Sequence, residues 1–254
     1  MPNHDISTSD LVRNLRRVGL RPSDRTIEAI LERGADAVAP LTELALDTDA
    51  LLEAEPASLG PVHALRLLGE LKPVETTAPL LRRLPLPVQA EPTQAAFLWS
   101  QETPQIVANF GAEALPAVLE IANDLEAPAL QRGSAFATLG FLATTTPELR
   151  EQIIAVLRER LSSEPDSTTR GYIVATLAQL NAREAYAEIM DAYKEKRVDR
   201  SVMSAADARQ LLLGAQPQRQ LECALHTLAE RYEQHGPYSE EQQRAMAEAS
   251  QRYG

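Results

Sequence analysis

The sequence predicts an all-α protein, a solenoid of stacked helix pairs. Three observations predict it. Apolar residues recur at helical spacing along nearly the whole chain, one segment repeats, and no run alternates apolar and polar residues for long enough to make a strand. The 254 residues are 44% hydrophobic but only 4% aromatic. Leu, Ala, Ile and Val must therefore fill the core, which suits closely stacked helices.

The elements follow in order. Ser23 caps a helix whose Ile27, Ile30 and Leu31 share one face and which stops at Gly34. The segment from Gly34 to Asp47 then returns at 111–124, a shift of 77 residues, with six of fourteen positions identical. A second series links Leu68-Gly69-Glu70-Leu71, Leu139-Gly140-Phe141-Leu142 and Leu177-Ala178-Gln179-Leu180 at steps of 71 and 38. A period of about 35 to 38 is that of one helix pair. Between these marks, 147–162 carries the stripe Leu149, Ile153, Val156, Leu157 and Leu161, and 182–196 turns Ala182, Ala185, Tyr186, Ile189 and Tyr193 inward. Helix 216–234 is expected to bury Leu221, Leu225 and Leu228. Pro85, Pro87, Pro92 and Pro104 mark 85–104 as an irregular interruption around a short helix that holds Trp99, the sole tryptophan. Ser239-Glu240-Glu241-Gln242 opens a polar last segment with a capping box.

Seven positions before Leu139 and Leu177 stand Arg132 and Arg170, the latter preceded by Asp166. An aspartate in the turn, an early arginine, an Ala-rich run and a closing Leu-Gly-x-Leu resemble the short prokaryotic HEAT-like repeat of the type found in phycobilisome lyases. The resemblance spans about residues 24–197, and Pro61 stands near the place where the 60–71 helix would carry its arginine. It implies a right-handed α-α superhelix over 1–235, with 236–254 as a capping helix or tail, and puts each second helix on a concave face. Aligned by their Leu-x-x-Leu ends, these helices carry His63, Arg66 and Glu70; Ser134, Ala137 and Phe141; and Tyr172, Ala175 and Gln179. Small residues beside Phe141 and Tyr172 either make a groove for a helix or peptide, or let both rings pack on the next unit. Arg66, Glu70, Phe141, Tyr172, Gln179 and Trp99 are the expected contact residues, Trp99 being either a contact or a plug between uneven helices.

Charge narrows the partner. With 25 basic and 36 acidic residues the net is −11, the wrong sign for a nucleic acid and the right one for a basic protein or peptide. Cys223 is the only cysteine, so no intrachain disulfide or Cys-based zinc site can form, and the free thiol fits the cytoplasm. The N-terminus lacks a signal pattern, and no apolar run is long enough for a membrane span. The four histidines show no metal-ligand spacing and none directly precedes a glutamate, which separates the chain from the iron enzyme deoxyhypusine hydroxylase. Cys223 and His226, three apart, are read as a packed thiol beside Leu221 and Leu225 rather than an activated one. The sequence thus points to a non-enzymatic scaffold without cofactor. The resemblance adds a tetrapyrrole-handling alternative of the phycobilin-lyase kind, and a more distant one, the HEAT-like DNA glycosylases, that the charge disfavours.

Overall fold

The computed structural model describes residues 6–87, 92–214 and 221–253. They form helices and turns, with no strand among them. In chain order the helices are α1 (Thr8–Arg13), α2 (Asp24–Leu31), α3 (Ala35–Ala45), α4 (Gly60–Leu71), α5 (Thr77–Leu81), α6 (Gln94–Ala108), α7 (Leu115–Asn123), α8 (Ala129–Thr145), α9 (Arg150–Ser163), α10 (Ser167–Gln179), α11 (Tyr186–Lys194), α12 (Ala205–Leu213), α13 (Leu228–Gln234) and α14 (Glu240–Tyr253). The fold is all-α, as expected. No helix among the described residues is long and apolar enough to cross a membrane.

The compact units cut across the expected division into 1–235 and 236–254. Unit 1 takes the chain up to Leu71, the start of α6 as far as Trp99, and the residues from His226 onward. Unit 2 takes Lys72–Pro87 and Ser100–Leu225.

At the centre of unit 1 is α4, buried on every side from Gly60 to Gly69 and packed against α2, α3 and α13. Pro61 lies in its first turn, where the missing N–H has no intrahelical acceptor to lose. Gly60 lets Arg16 approach closely, since a β-carbon there would stand 3.0 Å from Arg16 Cγ.

In unit 2 the helices pair as α7 with α8, α9 with α10, and α11 with α12. Second helices pack on second helices, α8 on α10 and α10 on α12, while α5 meets α7 and α9 meets α11. Close approach needs small residues. A β-carbon at Gly133 of α8 would fall 2.3 Å from Cδ2 of Tyr172 on α10, and one at Gly140 would fall 2.9 Å from Thr176.

The repeated segment has one structure in both copies. Gly34 and Gly111 both precede their helix with positive φ, 53° and 80°, and both donate a backbone hydrogen bond to the third residue before them. The pairs Ala37/Ala114, Leu41/Val118, Leu44/Ile121 and Ala45/Ala122 are all buried. The Leu-x-x-Leu marks also hold, with Leu68, Leu139, Leu142, Leu177 and Leu180 in the core. Lys72 and Asn181, directly after that motif, adopt the left-handed conformation that stops a helix.

Three details differ from expectation. Pro104 sits inside α6 instead of breaking it. An interior proline costs roughly 3 kcal/mol, and here it is flanked by buried Leu98, Trp99, Ile106 and Val107, whose packing offsets that cost. Residues 88–91 of the expected interruption, and 216–220 of the expected 216–234 helix, lie outside the described residues. The rest of that helix is a short turn over 222–225 followed by α13, which leaves Leu225 exposed and Leu228 half-buried while Leu221 is buried. In α9 the buried stripe runs through Ile153, Ile154, Leu157 and Leu161, with Val156 at its edge.

Replacing Gly133 with alanine should destabilise the protein by about 1–3 kcal/mol through overpacking, against the gain of ~1 kcal/mol that Gly→Ala normally brings in a helix interior. Urea denaturation measures it, and adding Tyr172→Ala to that variant should restore most of the loss.

Candidate functional site

The second-helix face of unit 2 is assembled from α8 and α10. Pro128 precedes α8, and Asp166 caps α10, its Oδ1 accepting the Thr169 N–H at 2.7 Å. Each helix then buries one face: Ala135, Phe136, Leu139 and Leu142 on α8, and Ile173, Val174, Leu177 and Ala178 on α10. The other edge is half-exposed on both, through Ser134, Ala137 and Phe141 and through Tyr172, Ala175 and Gln179. Tyr172 does two things there. Its ring covers Gly133 of the neighbouring helix, and the remainder faces outward.

Buried polar bonds hold this face rigid. Thr176 Oγ1 donates to Tyr172 O at 2.9 Å and reaches Phe136 O across the helix pair at 3.3 Å. Arg132 is buried at the start of α8. Its Nε donates to Ala122 O in the last turn of α7 at 3.2 Å, its Nη1 donates to Glu164 Oε1 at 2.9 Å, and its Nη2 donates to Glu164 Oε2. Glu164, in the loop after α9, is wholly buried and also accepts the Asp166 N–H at 3.1 Å. Arg170 makes the corresponding link one pair later through a carbonyl alone, its Nη1 donating to Arg197 O beyond α11 at 2.6 Å while its buried Nε has no hydrogen-bond partner among the described residues. Each arginine therefore ties its own pair to the loop of the next. The carboxylate that receives Arg132 is Glu164, whereas Asp166 serves as a cap. That division is not visible in the spacing, since both acids lie in the same turn.

In unit 1 the aligned positions are occupied. His63 and Arg66 are 0% and 1% exposed, so Arg66 is a core residue and not a contact. What covers them is α13. The His63 Nε2 bond to Gly19 O, 3.0 Å, requires the proton on Nε2, because a carbonyl only accepts; Nδ1 then accepts from the Tyr232 hydroxyl at 2.8 Å. Arg66 donates to Gly236 O at 2.7 Å and lies 4.4 Å from the centre of the Tyr232 ring. Burial, with the Arg66 charge adding to it, pushes His63 down to about 4 although the Gly19 bond acts in the opposite sense. Glu70, a turn beyond Arg66, is exposed. Trp99 is also a core residue, fully buried in unit 1 with its indole N–H on Ala45 O at 2.9 Å, and so is not a surface contact.

Of the six expected contact residues, Phe141, Tyr172 and Gln179 thus share the α8–α10 face, Glu70 is exposed in unit 1, and Arg66 and Trp99 are internal. The face offers two aromatic rings, small aliphatic gaps and one amide, groups that bind by contact. Cys223 is half-buried in the 222–225 turn rather than on a helix. No group of three or more His, Cys, Asp or Glu among the described residues could hold a metal ion. Compared with known proteins, the chain matches no protein-family model, no curated protein and no solved structure.

Two measurements check this geometry. Arg132→Met should cost about 3–5 kcal/mol because it leaves a buried carboxylate unpaired, while the double variant Arg132→Met with Glu164→Leu should recover most of it; chemical denaturation reads both. His63 binds its proton more weakly folded than unfolded, so its contribution to stability is full above pH 6.5 and is lost as the pH falls towards 4. The loss is on the order of 3 kcal/mol, and the stability profile of His63→Gln should be flatter over that window.

Proposed function

We propose that this chain is a non-enzymatic scaffold whose helix pairs wind into a right-handed superhelix, and that the α8–α10 face takes a protein or peptide segment. One observation carries the reading: the equivalent face of α4 already holds such a segment. Residues 231–236 of the chain lie along His63 and Arg66, with an aromatic ring and a backbone carbonyl as the contacts. Where α4 has these two large polar side chains, α8 has Ser134 and Ala137, and α10 has Tyr172 and Ala175. The smaller residues leave room for bulky side chains; Leu221 of the chain itself takes the part beside Gly140, and the half-exposed part beside Ala137 and Ala175 is left for a partner. Phe141 and Tyr172 supply half-exposed rings at its two sides, and such aromatics concentrate binding energy.

The net charge of −11 supports a basic partner, with electrostatics accelerating encounter and making it salt-sensitive. The test is a photo-activatable crosslinker placed in turn at Ala137, Phe141 and Ala175, with Glu151 on α9 as the control, followed by identification of the crosslinked protein. Crosslinks confined to the first three positions support the proposal, and crosslinks mainly at Glu151 would sink it. With the partner in hand, Phe141→Ala should weaken binding by about 1–3 kcal/mol while the far-ultraviolet circular dichroism stays unchanged.

A further inference from the structure

Unit 1 exposes large apolar side chains at two adjoining places. Leu52 is 48% exposed at the end of the short turn 50–52, and Phe97 is 58% exposed in the first turn of α6. Two hydrogen bonds bring these segments together. Thr93 Oγ1 donates to Leu51 O at 2.6 Å, and Gln94 Nε2 reaches Glu55 Oε1 at 3.4 Å. Phe97 stands four residues beyond Thr93 and donates its N–H to Thr93 O at 3.0 Å, so it shares the helix face that Thr93 turns toward the 51–55 segment. Ala54, Pro56 and Pro92, all exposed, extend the apolar surface.

The platform under Phe97 is held still. Thr93 Oγ1 also accepts the Ala96 N–H at 3.1 Å, and the Gln94 amide is bonded on both sides to the Tyr238 backbone, donating at 3.0 Å and accepting at 2.5 Å. Two residues on, Trp99 anchors the helix in the core. An exposed ring on a fixed backbone loses little freedom when a partner covers it. Around the apolar pair stand Asp49, Glu53 and Glu55, all exposed and in no ion pair among the described residues. This surface therefore combines apolar anchors with carboxylates that are in no ion pair among the described residues.

We propose that the Leu52–Phe97 face is a second docking site, distinct from the α8–α10 face, for a peptide segment bearing an aromatic or large aliphatic side chain flanked by Lys or Arg. The apolar residue would cover Phe97 and Leu52 while the flanking cations meet the three carboxylates.

The probe is a fluorescein-labelled hexapeptide with a Leu-Phe centre between two pairs of lysines, followed by fluorescence anisotropy with the full chain at low salt; its twin carries glutamates in place of the lysines. The lysine peptide should bind saturably and the glutamate peptide should not. Phe97→Ser should weaken binding at least about fivefold, with the helical signal unchanged. Glu53→Lys should weaken it as well, while Glu151→Lys, the same charge change on α9, leaves it nearly unaltered. Absence of saturable binding, equal binding of both peptides, or indifference to Phe97→Ser would overturn the proposal. So would a Phe97-dependent dimer of the chain in sedimentation without peptide binding, because the face would then belong to a second copy.

Discussion

The architecture of unit 2 depends on a guanidinium that has no access to water. Arg132 must find acceptors inside the protein, and it finds them at the end of the helix before it and in the loop of the pair after it. The consequence propagates. Glu164, held by Arg132, accepts the Asp166 N–H, and Asp166 in turn caps α10. The start of α10 is thereby fixed, and with it the position of Tyr172 over Gly133. A shift of this ion pair would move the half-exposed face that we propose as the binding surface.

Unit 1 meets the same demand with different chemistry. Ala45 and Ala122 are equivalent residues in the two copies of the repeated segment, and each lies in the last turn of its helix, where carbonyls lack intrahelical donors. The Ala122 carbonyl is satisfied by Arg132 and the Ala45 carbonyl by the indole of Trp99. What the two copies share is the backbone and the apolar contacts beneath it. The polar groups that complete each copy are its own, and they come from outside the repeated segment.

This explains which parts of the molecule could be read from the chain alone. Helical spacing, the Gly34/Gly111 repeat and the Leu-x-x-Leu marks report local geometry, and the structure bears out the repeat and most of the buried positions, with Leu71 and Leu149 half-buried and Leu225 exposed. The capping box at Ser239 is present as well, Ser239 N–H on Gln242 Oε1 at 2.9 Å and Gln242 N–H on Ser239 Oγ at 3.3 Å. Burial of Arg66 was not legible, because it depends on Tyr232 and Gly236, some 170 residues later in the sequence. Trp99 was ambiguous for a related reason: its acceptor, Ala45, is a backbone oxygen and leaves no trace in composition. Pro104 misled because a local propensity was outweighed by packing on both sides of it. For the candidate face, the spacing identified the half-exposed edge of α8 and α10, while the aligned edge of α4 is closed by a distant segment.

That closure has a temporal side. Helix pairs in a stacked array complete themselves from their immediate neighbours, so such chains can consolidate progressively as they leave the ribosome. Here the central helix of unit 1 emerges early, yet the Tyr232 bond to His63 and the Gly236 bond to Arg66 form only once residues 232 and 236 have been made. During synthesis the side of α4 that meets α13 therefore waits for its cover for as long as the residues of unit 2 take to be translated.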